Sequence, residues 1–342
     1  MQELTLHIDD HRTSILIGRN LFPQRDIKAE GKVIYLVDVN VYQHHKEKFE
    51  GLQFILIPSG EKYKCLAYVE ELMRKLVDLE ADRTSFLVGV GGGLVTDLVG
   101  FVASTFMRGV GFGFISTTLL GQVDASIGGK NGVNLDGFKN MIGVIRQPSF
   151  VWCDLTMIES LDQGELVSGF AEVIKYGAIR DRKLFDFLEE NYSSVLDRKT
   201  ELLERIVTDS AAIKIDIVES DVTELGDRKL LNFGHTLGHA IEKLTGILHG
   251  EAVAIGMVLA AELSVKLGYL GRDEADRLRG VIEASGLPVE TDQSMEAIFE
   301  TLLKDKKRSG IHLGMILLHS LGDAFVHKIE LESLKKALYD LH

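Results

Sequence analysis

In the first half of this 342-residue chain, short apolar runs of strand length alternate with segments of helical periodicity. Residues 32–38, 53–57 and 85–90 are apolar runs, each of the length of a strand that is buried on both faces. Between the last two runs, residues 64–79 carry apolar side chains at helical spacing. Strands that alternate with helices predict a parallel, doubly wound α/β sheet.

The second half of the chain, from about residue 161, is mostly helical in its periodicity. Helices are predicted over residues 165–180, 183–196, 200–218, 234–244, 251–267 and 273–285, with a short strand pair near 311–318 and 324–328. We therefore predict a Rossmann-like α/β N-terminal domain over residues 1–160 and a mostly α-helical C-terminal domain over residues 161–342.

Composition and charge restrict the class of partner. The net charge of −13 argues against nucleic acid or an anionic membrane as a partner, although a local basic pocket could still hold a small anionic substrate. No run reaches the roughly 20 apolar residues of a membrane span, and the first residues lack the pattern of a signal peptide. Cys65 and Cys153 lie in apolar sequence, which favours small core residues in a reducing compartment. We expect a cytoplasmic protein.

Three glycines follow directly on the predicted strand that ends at Val90. Gly91, Gly92 and Gly93 open a helical segment, and this is the context in which a backbone can approach a pyrophosphate at a helix N-terminus. The spacing is not GxGxxG, so a tight strand-to-helix turn without a ligand is the alternative. A polar loop over residues 58–64 and a Thr-Thr pair at 117–118 also follow predicted strands, which favours a nucleotide site.

A second group of residues has the spacing of metal ligands. His235 and His239 are four residues apart in a helical pattern, and His249 begins the next apolar helix. Glu172, which shares a helical face with Lys175, can supply a carboxylate. A Glu-His-His site leaves one coordination position open, as catalytic zinc requires, and His239 could then orient a ligand or transfer a proton. The alternative is that one or two of the histidines merely cap helices or satisfy core hydrogen bonds and that Glu172 and Lys175 form a surface pair.

The segment 121–134 is rich in glycine and polar residues and has no predicted secondary structure. Lys139 and Asn140 follow it closely. Such a segment is either an exposed loop or a substrate cradle, and its apolar flanks, 112–120 and 141–145, favour the cradle.

These motifs together resemble the 3-dehydroquinate synthase family, within the sugar-phosphate cyclase group. The resemblance runs from Asp38 to Lys307 and rests on eight separated motifs: PSGEKYK, GGGLVTD, QVDASIGGKNGVN, FKNMIG, AEVIKYG, LNFGHTLGHAIE, HGEAVAIGM and KDKK. It implies conversion of 3-deoxy-D-arabino-heptulosonate 7-phosphate to 3-dehydroquinate and phosphate, a step of the shikimate pathway of aromatic amino-acid biosynthesis. It further implies transient oxidation by NAD, phosphate elimination, re-reduction and aldol closure, with Zn2+ (or Co2+) polarising the hydroxyl being oxidised.

Carried over by position, the resemblance implies roles for individual residues of this chain. The residues that resemble metal ligands are Glu172, His235 and His249, and those that resemble catalytic groups are Asp124, Lys130, Lys175 and His239. The residues that resemble substrate ligands are Arg108, Asn140, Lys214, Arg228, Asn232 and one of Lys306 and Lys307. The residues that resemble NAD ligands are Asp38, Asn40, Ser59, Glu61, Lys64, Gly92, Gly93, Leu94, Asp97, Thr117, Thr118, Lys130 and Lys139. Arg108 resembles an arginine that reaches the phosphate across a dimer interface, which implies a homodimer.

Other functions are weighed against this one. A cyclase that makes an inosose or valiolone skeleton would not need to bind a carboxylate, so Lys214 and Arg228 count against it. A metal-dependent polyol dehydrogenase would lack the cluster of basic residues, which suits a substrate that carries both a carboxylate and a phosphate. A degenerate, non-enzymatic relative would have lost a metal ligand or the glycine-rich turn, and neither loss is visible.

Overall fold

The computed structural model describes residues 1–136, 138–305 and 311–340. The described chain packs into two compact units. Unit 1 consists of Met1–Asp162 with Leu203–Thr223, and unit 2 consists of Gln163–Leu202 with Glu224–His342.

The predicted helices and strands appear in their predicted order, together with elements that were not predicted. The strands are β1 (Gln2–Ile8), β2 (His11–Gly18), β3 (Val33–Asp38), β4 (Phe54–Ile57), β5 (Phe86–Gly91), β6 (Gly111–Ser116), β7 (Lys130–Leu135), β8 (Phe138–Ile145), β9 (Phe150–Asp154), β10 (His312–Ser320) and β11 (Asp323–Glu330). The helices are α1 (Val39–His44), α2 (Leu66–Asp78), α3 (Gly93–Thr105), α4 (Gln163–Arg180), α5 (Arg182–Leu196), α6 (Thr200–Ser220), α7 (His235–Thr245), α8 (His249–Lys266), α9 (Arg272–Ala284), α10 (Met295–Asp305) and α11 (Leu331–Tyr339).

Unit 1 is built on a seven-stranded sheet in the order β1-β2-β9-β6-β5-β3-β4. All neighbouring strands are parallel except β1 and β2, which are antiparallel. The predicted parallel α/β sheet is confirmed, and the predicted strands appear as β3, β4 and β5. The β1–β2 hairpin was not predicted, because β1 is not a continuous apolar run: Leu4, Leu6 and Ile8 alternate with polar residues, which is the pattern of a strand buried on one face.

The strand ends place three chain segments side by side. β5 is buried along its whole length, and its neighbours on either side are β3 and β6. Parallel strands end at the same edge of a sheet, so the residues that follow Val37, Gly91 and Ser116 meet there. This edge holds Asp38 and the glycine turn.

The segment 121–145 corrects a sequence-based expectation. No secondary structure was predicted over 121–134, yet Gly121–Ala125 forms a short π-helical turn, and β7 pairs with β8 in an antiparallel hairpin. The hairpin is fixed by packing rather than by strand propensity: Asn131 and Val133 are buried, and Asn131 lies directly over Gly100 of α3. The bulk of a side chain at position 100 would collide with Asn131.

Unit 2 is mostly helical, with one two-stranded sheet of β10 and β11. The six helices predicted for the second half of the chain are confirmed as α4 to α9, with boundary shifts of a few residues, and so is the strand pair. Most of α6 belongs to unit 1, although its sequence lies within the predicted C-terminal domain. α10 and α11 were not predicted. Apolar residues of α7, α8, α10 and the β10–β11 sheet form the core of this unit. In the described parts of the chain, no helix is long and apolar enough to cross a bilayer.

The two cysteines differ in burial. Cys153 in β9 is fully buried, as predicted, whereas Cys65 is only partly buried. The prediction of a core position is therefore wrong for Cys65, which occupies the N-cap position of α2 with its side chain partly buried.

Candidate active site

Three helices of unit 2 bring the predicted metal ligands together. Glu172 lies in α4 with its side chain fully buried, His235 is the first residue of α7, and His249 is the first residue of α8. Glu172 Oε1 lies 3.5 Å from His235 Nε2 and 3.6 Å from His249 Nε2. The two imidazole centroids are 5.2 Å apart. Three ligand atoms thus surround one point.

These spacings fit a divalent cation. Ligand atoms about 2.1 Å from a tetrahedral metal ion are about 3.4 Å from one another. The two measured separations, 3.5 and 3.6 Å, are close to that value. One carboxylate and two imidazoles form a donor set that suits Zn2+ or Co2+.

The second nitrogen of each imidazole has a partner that fixes the ring. His235 Nδ1 lies 3.1 Å from the Phe233 carbonyl oxygen, and His249 Nδ1 lies 3.4 Å from Glu242 Oε2. With a cation bound, a proton on each Nδ1 would donate to these oxygens, and the lone pair of each Nε2 would be available to the cation. Glu242 was not singled out from the sequence. Its only signal was its place in the motif that carries the two α7 histidines.

The two histidines titrate differently. Burial, and then the Lys175 ammonium, lower the pKa of His235 to about 3, so its imidazole is neutral and ready to bind a cation. Burial alone would lower the pKa of His249, but the hydrogen bonds that its imidazolium donates to the carboxylates of Glu172 and Glu242 raise that pKa to about 9. His249 therefore carries a proton beside Glu172, and a bound divalent cation would take the place of that positive charge.

Lys175 and Glu172 form a buried ion pair one helical turn apart. Their side chains are 1% and 0% exposed. The alternative of a surface pair is therefore wrong. His239, on the face that also carries His235, is exposed, with its ring 5.3 Å from that of His235 and 5.9 Å from that of His249. It lies at the rim of the ligand group.

Arg228 and Asn232 precede α7 in the short helical segment Asp227–Asn232. Arg228 is only 2% exposed, and Asn232 Nδ2 donates to Glu224 Oε1 at 2.5 Å. Gly234 then turns the chain into α7 with φ +78°, and a Cβ there would lie 2.6 Å from Met257 Cγ. The close crossing of α7 and α8 thus requires glycine at this position.

In unit 1, the ends of β3 and β4 form a small hydrogen-bonded group. Asn40 N donates to Asp38 Oδ1 at 2.8 Å, and Asn40 Nδ2 donates to Ser59 Oγ at 2.8 Å. Burial raises the pKa of Asp38, and the hydrogen bonds it accepts oppose that shift. An acidic side chain at the end of a strand in this sheet is a typical partner for a ribose hydroxyl.

The turn of Gly91, Gly92 and Gly93 at the end of β5 allows a ligand to approach the protein backbone closely. Gly92 caps α3, Gly93 and Leu94 form its first turn, and a Cβ on Gly92 would lie 2.8 Å from Thr118 Cγ2. Thr117 N donates to the Gly91 carbonyl at 3.0 Å, while Thr117 Oγ1 is buried without a hydrogen-bond partner among the described residues. A dinucleotide at the N-terminus of α3 would fit this cradle.

Lys64 and Asp97 form an ion pair beside this turn. Their atoms lie 2.5 Å apart, and the side chains are 7% and 19% exposed. Burial raises the pKa of Asp97, and the Lys64 ammonium lowers it. Glu61 accepts a hydrogen bond from Asn134 Nδ2 at 2.8 Å, which joins the 58–64 loop to β7. Asn134 was not singled out from the sequence, because no local pattern indicates this contact.

The remaining predicted residues of unit 1 lie on the hairpin and its surroundings. Lys214 of α6, 5% exposed, donates to the carbonyl and, at 2.6 Å, to Oδ1 of Asp124 in the π-helical turn. Asn140 N donates to Asn134 Oδ1 at 2.9 Å. Several predicted residues of this unit have exposed side chains: Asn40, Ser59, Glu61, Arg108, Lys130, Lys139 and Asn140. Lys306 and Lys307 lie outside the described residues.

Comparisons with known proteins agree with this architecture. Family models described as 3-dehydroquinate synthase N-terminal and C-terminal match residues 54–168 and 169–308. A 3-dehydroquinate synthase of Thermodesulfovibrio yellowstonii is 44% identical over 299 residues, which cover 86% of this chain and 83% of that protein.

Two solved structures of cyclases share the fold. A 2-deoxy-scyllo-inosose synthase complexed with carbaglucose-6-phosphate, NAD+ and Co2+ is 25% identical, with a TM-score of 0.88 over 99% of this chain and 100% of that chain. A 2-epi-5-epi-valiolone synthase of Streptomyces hygroscopicus subsp. jinggangensis with NAD+ and Zn2+ bound is 25% identical, with a TM-score of 0.89 over 98% of each chain. With two family models covering residues 54–308 and a relative at 44% identity, the chain belongs to the 3-dehydroquinate synthase family.

Proposed function

We propose that this chain is a 3-dehydroquinate synthase that converts 3-deoxy-D-arabino-heptulosonate 7-phosphate to 3-dehydroquinate and phosphate. The observation that carries the proposal is the Glu172-His235-His249 group, with the buried Lys175 ammonium beside it, in a chain that is 44% identical to a 3-dehydroquinate synthase. The ligand group suits an open catalytic metal site.

We propose NAD and Zn2+ (or Co2+) as cofactors. The solved cyclases contain NAD+ with Co2+ or Zn2+, and the cradle at Gly92 and the three ligand atoms around Glu172 fit these groups. When bound, NAD would accept and return a hydride, and the cation would act as a Lewis acid at the hydroxyl that is oxidised.

In unit 2, the proposed role of the side chains is to hold charged and polar groups in position for the substrate. Glu172 fixes the Lys175 ammonium, which can then donate to a substrate oxygen without losing its position. Arg228 is a buried guanidinium whose planar fork suits the substrate carboxylate. Asn232 and the exposed imidazole of His239 suit the phosphate end, and His239 is also a candidate for proton transfer.

In unit 1, Asp124 and Lys214 are proposed as substrate-binding residues. Asp124 already holds the Lys214 ammonium, so this side chain is oriented before any ligand binds. Lys130 suits the carboxylate, and Asn140 suits the phosphate. The proposed NAD ligands lie at the strand ends, in the loops and in the hairpin: Asp38, Asn40, Ser59, Glu61, Lys64, Gly92, Gly93, Leu94, Asp97, Thr117, Thr118, Lys130 and Lys139.

The finer parts of the proposal follow from family membership. We propose a domain boundary at about residue 160, with NAD bound by residues 1–160 and the metal by residues 161–342. We also propose a cytoplasmic homodimer in which Arg108 and one of Lys306 and Lys307 complete the phosphate site.

The test is phosphate release from 3-deoxy-D-arabino-heptulosonate 7-phosphate with trace NAD+ and Zn2+, before and after chelation. We expect release that needs both cofactors, with no net accumulation of NADH. Phosphate release from glucose 6-phosphate but not from the carboxylated substrate would indicate another cyclase. Lasting NADH formation from a simple polyol without phosphate release would indicate a dehydrogenase.

A further inference from the structure

A buried hydrogen bond ties the helix that carries Glu172 to the helix that begins with His249. The backbone N–H of Gly250 in α8 donates to Ser168 Oγ in α4 at 3.0 Å. Ser168 is 3% exposed, so water does not compete freely for its hydroxyl. None of the motifs or roles described above includes Ser168.

The contact satisfies a donor that α8 cannot satisfy itself. Gly250 is the second residue of α8, and the first four N–H groups of a helix have no partner within that helix. Within the same turn, Glu251 accepts from Leu248 N at 2.9 Å, which stabilises the entry of the chain into α8. Ser168 therefore acts as a cap for α8 that is supplied by another helix.

The two backbones also approach each other too closely for a side chain at position 250. A Cβ on Gly250 would collide with the carbonyl group and the Cα of Ser168. Backbone atoms cannot move aside as a flexible side chain can, so the start of α8 has one position against α4. The Gly250–Ser168 hydrogen bond and this backbone contact fix the same point at which α4 and α8 cross.

This point lies beside two of the proposed ligands. Ser168 precedes Glu172 by four residues, one helical turn on the same face, and Gly250 directly follows His249. We propose that Ser168 is a positioning residue that sets the separation of Glu172 and His249 for a divalent cation. The inference rests on the metal site proposed above. Ser168 touches neither the cation nor the substrate in this proposal.

The physical reason lies in the tolerance of metal sites. Ligand atoms must be held within a few tenths of an ångström of their binding geometry, and groups that orient ligands contribute about 10- to 100-fold to metal affinity. Without the hydroxyl, the buried N–H of Gly250 would lack a partner, and the first turn of α8 would shift towards water or fray. His249, the first residue of that turn, would move with it.

The experiment compares Ser168→Ala with a matched control, Ser264→Ala. Ser264 is a fully buried serine further along α8, whose hydroxyl donates to the Ala260 carbonyl at 2.7 Å and accepts from Leu318 N at 3.1 Å. Its loss also removes a buried hydrogen bond from α8, but away from the ligands. For both variants, the Zn2+ dissociation constant is measured by chelator competition and the urea midpoint of the metal-free protein by circular dichroism. The absorption spectrum of the Co2+-loaded protein reports the ligand geometry.

We expect Ser168→Ala to weaken Zn2+ binding by about 10- to 100-fold and to change the Co2+ spectrum. Ser264→Ala should lower the urea midpoint and leave both metal readouts as in the wild type. Equal Zn2+ affinities of wild type and Ser168→Ala, or equal losses in both variants, would overturn the inference alone. A wild-type protein that binds no Zn2+ would instead overturn the proposed metal site, and this inference with it.

Discussion

Replacing Lys175 with methionine tests the charge balance of the proposed metal site. The Lys175 ammonium is paired with the Glu172 carboxylate, and both side chains are almost completely buried, at 1% and 0% exposed. Methionine keeps most of the volume and removes the charge. In the metal-free variant, Glu172 would remain buried with less compensating positive charge.

We expect two effects of Lys175→Met, one on the free energy of unfolding and one on the affinity for Zn2+. Removing one partner of a buried ion pair destabilises a protein by about 3–5 kcal/mol, and we expect a loss of this order for metal-free Lys175→Met. Zn2+ binding should become stronger, by about tenfold or more, since a cation at Glu172 no longer meets the ammonium as a like charge. The variant should therefore regain stability when Zn2+ is added, while turnover is lost because the proposed donor to the substrate is gone.

Urea unfolding followed by far-UV circular dichroism measures the first effect, and chelator competition measures the second. Lys75→Met is the matched control, because Lys75 forms an ion pair with Glu71 at 2.7 Å in which both side chains are exposed, at 42% and 54%. Such a surface pair contributes about 0–1 kcal/mol. Weaker Zn2+ binding by Lys175→Met, or a stability loss no larger than that of the control, would refute this reasoning.

Three further predictions follow from other parts of the structure. His235→Ala should abolish Zn2+ binding and phosphate release together, which metal analysis and the phosphate assay would check; an active, metal-free variant would contradict the site. Gly92→Val should weaken NAD+ binding about tenfold, since even a Cβ at this position would lie 2.8 Å from Thr118 Cγ2. Calorimetric titration with NAD+ measures the affinity, and an unchanged affinity would contradict NAD binding at Gly92. Burial, and then Lys48, lower the pKa of His45 below its ordinary 6.5, so the folded state takes up its proton less readily and stability is lost as the pH falls below about 6.5. His45→Gln should flatten the decline of the urea midpoint between about pH 7.5 and 5.5, and an equally steep decline would contradict this origin.

Local sequence patterns predicted much of the architecture. The apolar runs that became β3, β4 and β5, and the six periodic segments that became helices of the second half, depend on the spacing of neighbouring residues. The glycine turn after β5 was recognisable for the same reason, because a strand, three glycines and a helix follow one another directly. The histidine spacing of α7 is likewise a property of one helix.

Most of the features that were not predicted from the sequence depend on contacts with residues far away in the chain. β7 has only one β-branched residue, Val133, among its glycine and polar residues, and its Asn131 packs against Gly100 of α3, so no local pattern reveals the β7–β8 hairpin. Cys65 looked like a core residue from its neighbours, yet the fold leaves it partly exposed. β1 is an exception, because the alternation of Leu4, Leu6 and Ile8 with polar residues is a local signal of a strand with one buried face.

For the candidate site, the sequence supplied the residue types and the tertiary structure supplied the distances. The spacing of Glu172 and Lys175 was equally compatible with a surface pair, and only the packing of α4 inside unit 2 shows that both are buried. Glu242 meets His249, and Lys214 meets Asp124, 90 residues away, because helix crossings and turns join those segments. Periodicity fixes which side chains share a face of one element. Which faces then meet is decided by the close packing of the whole chain, and that information does not reside in any short stretch of sequence.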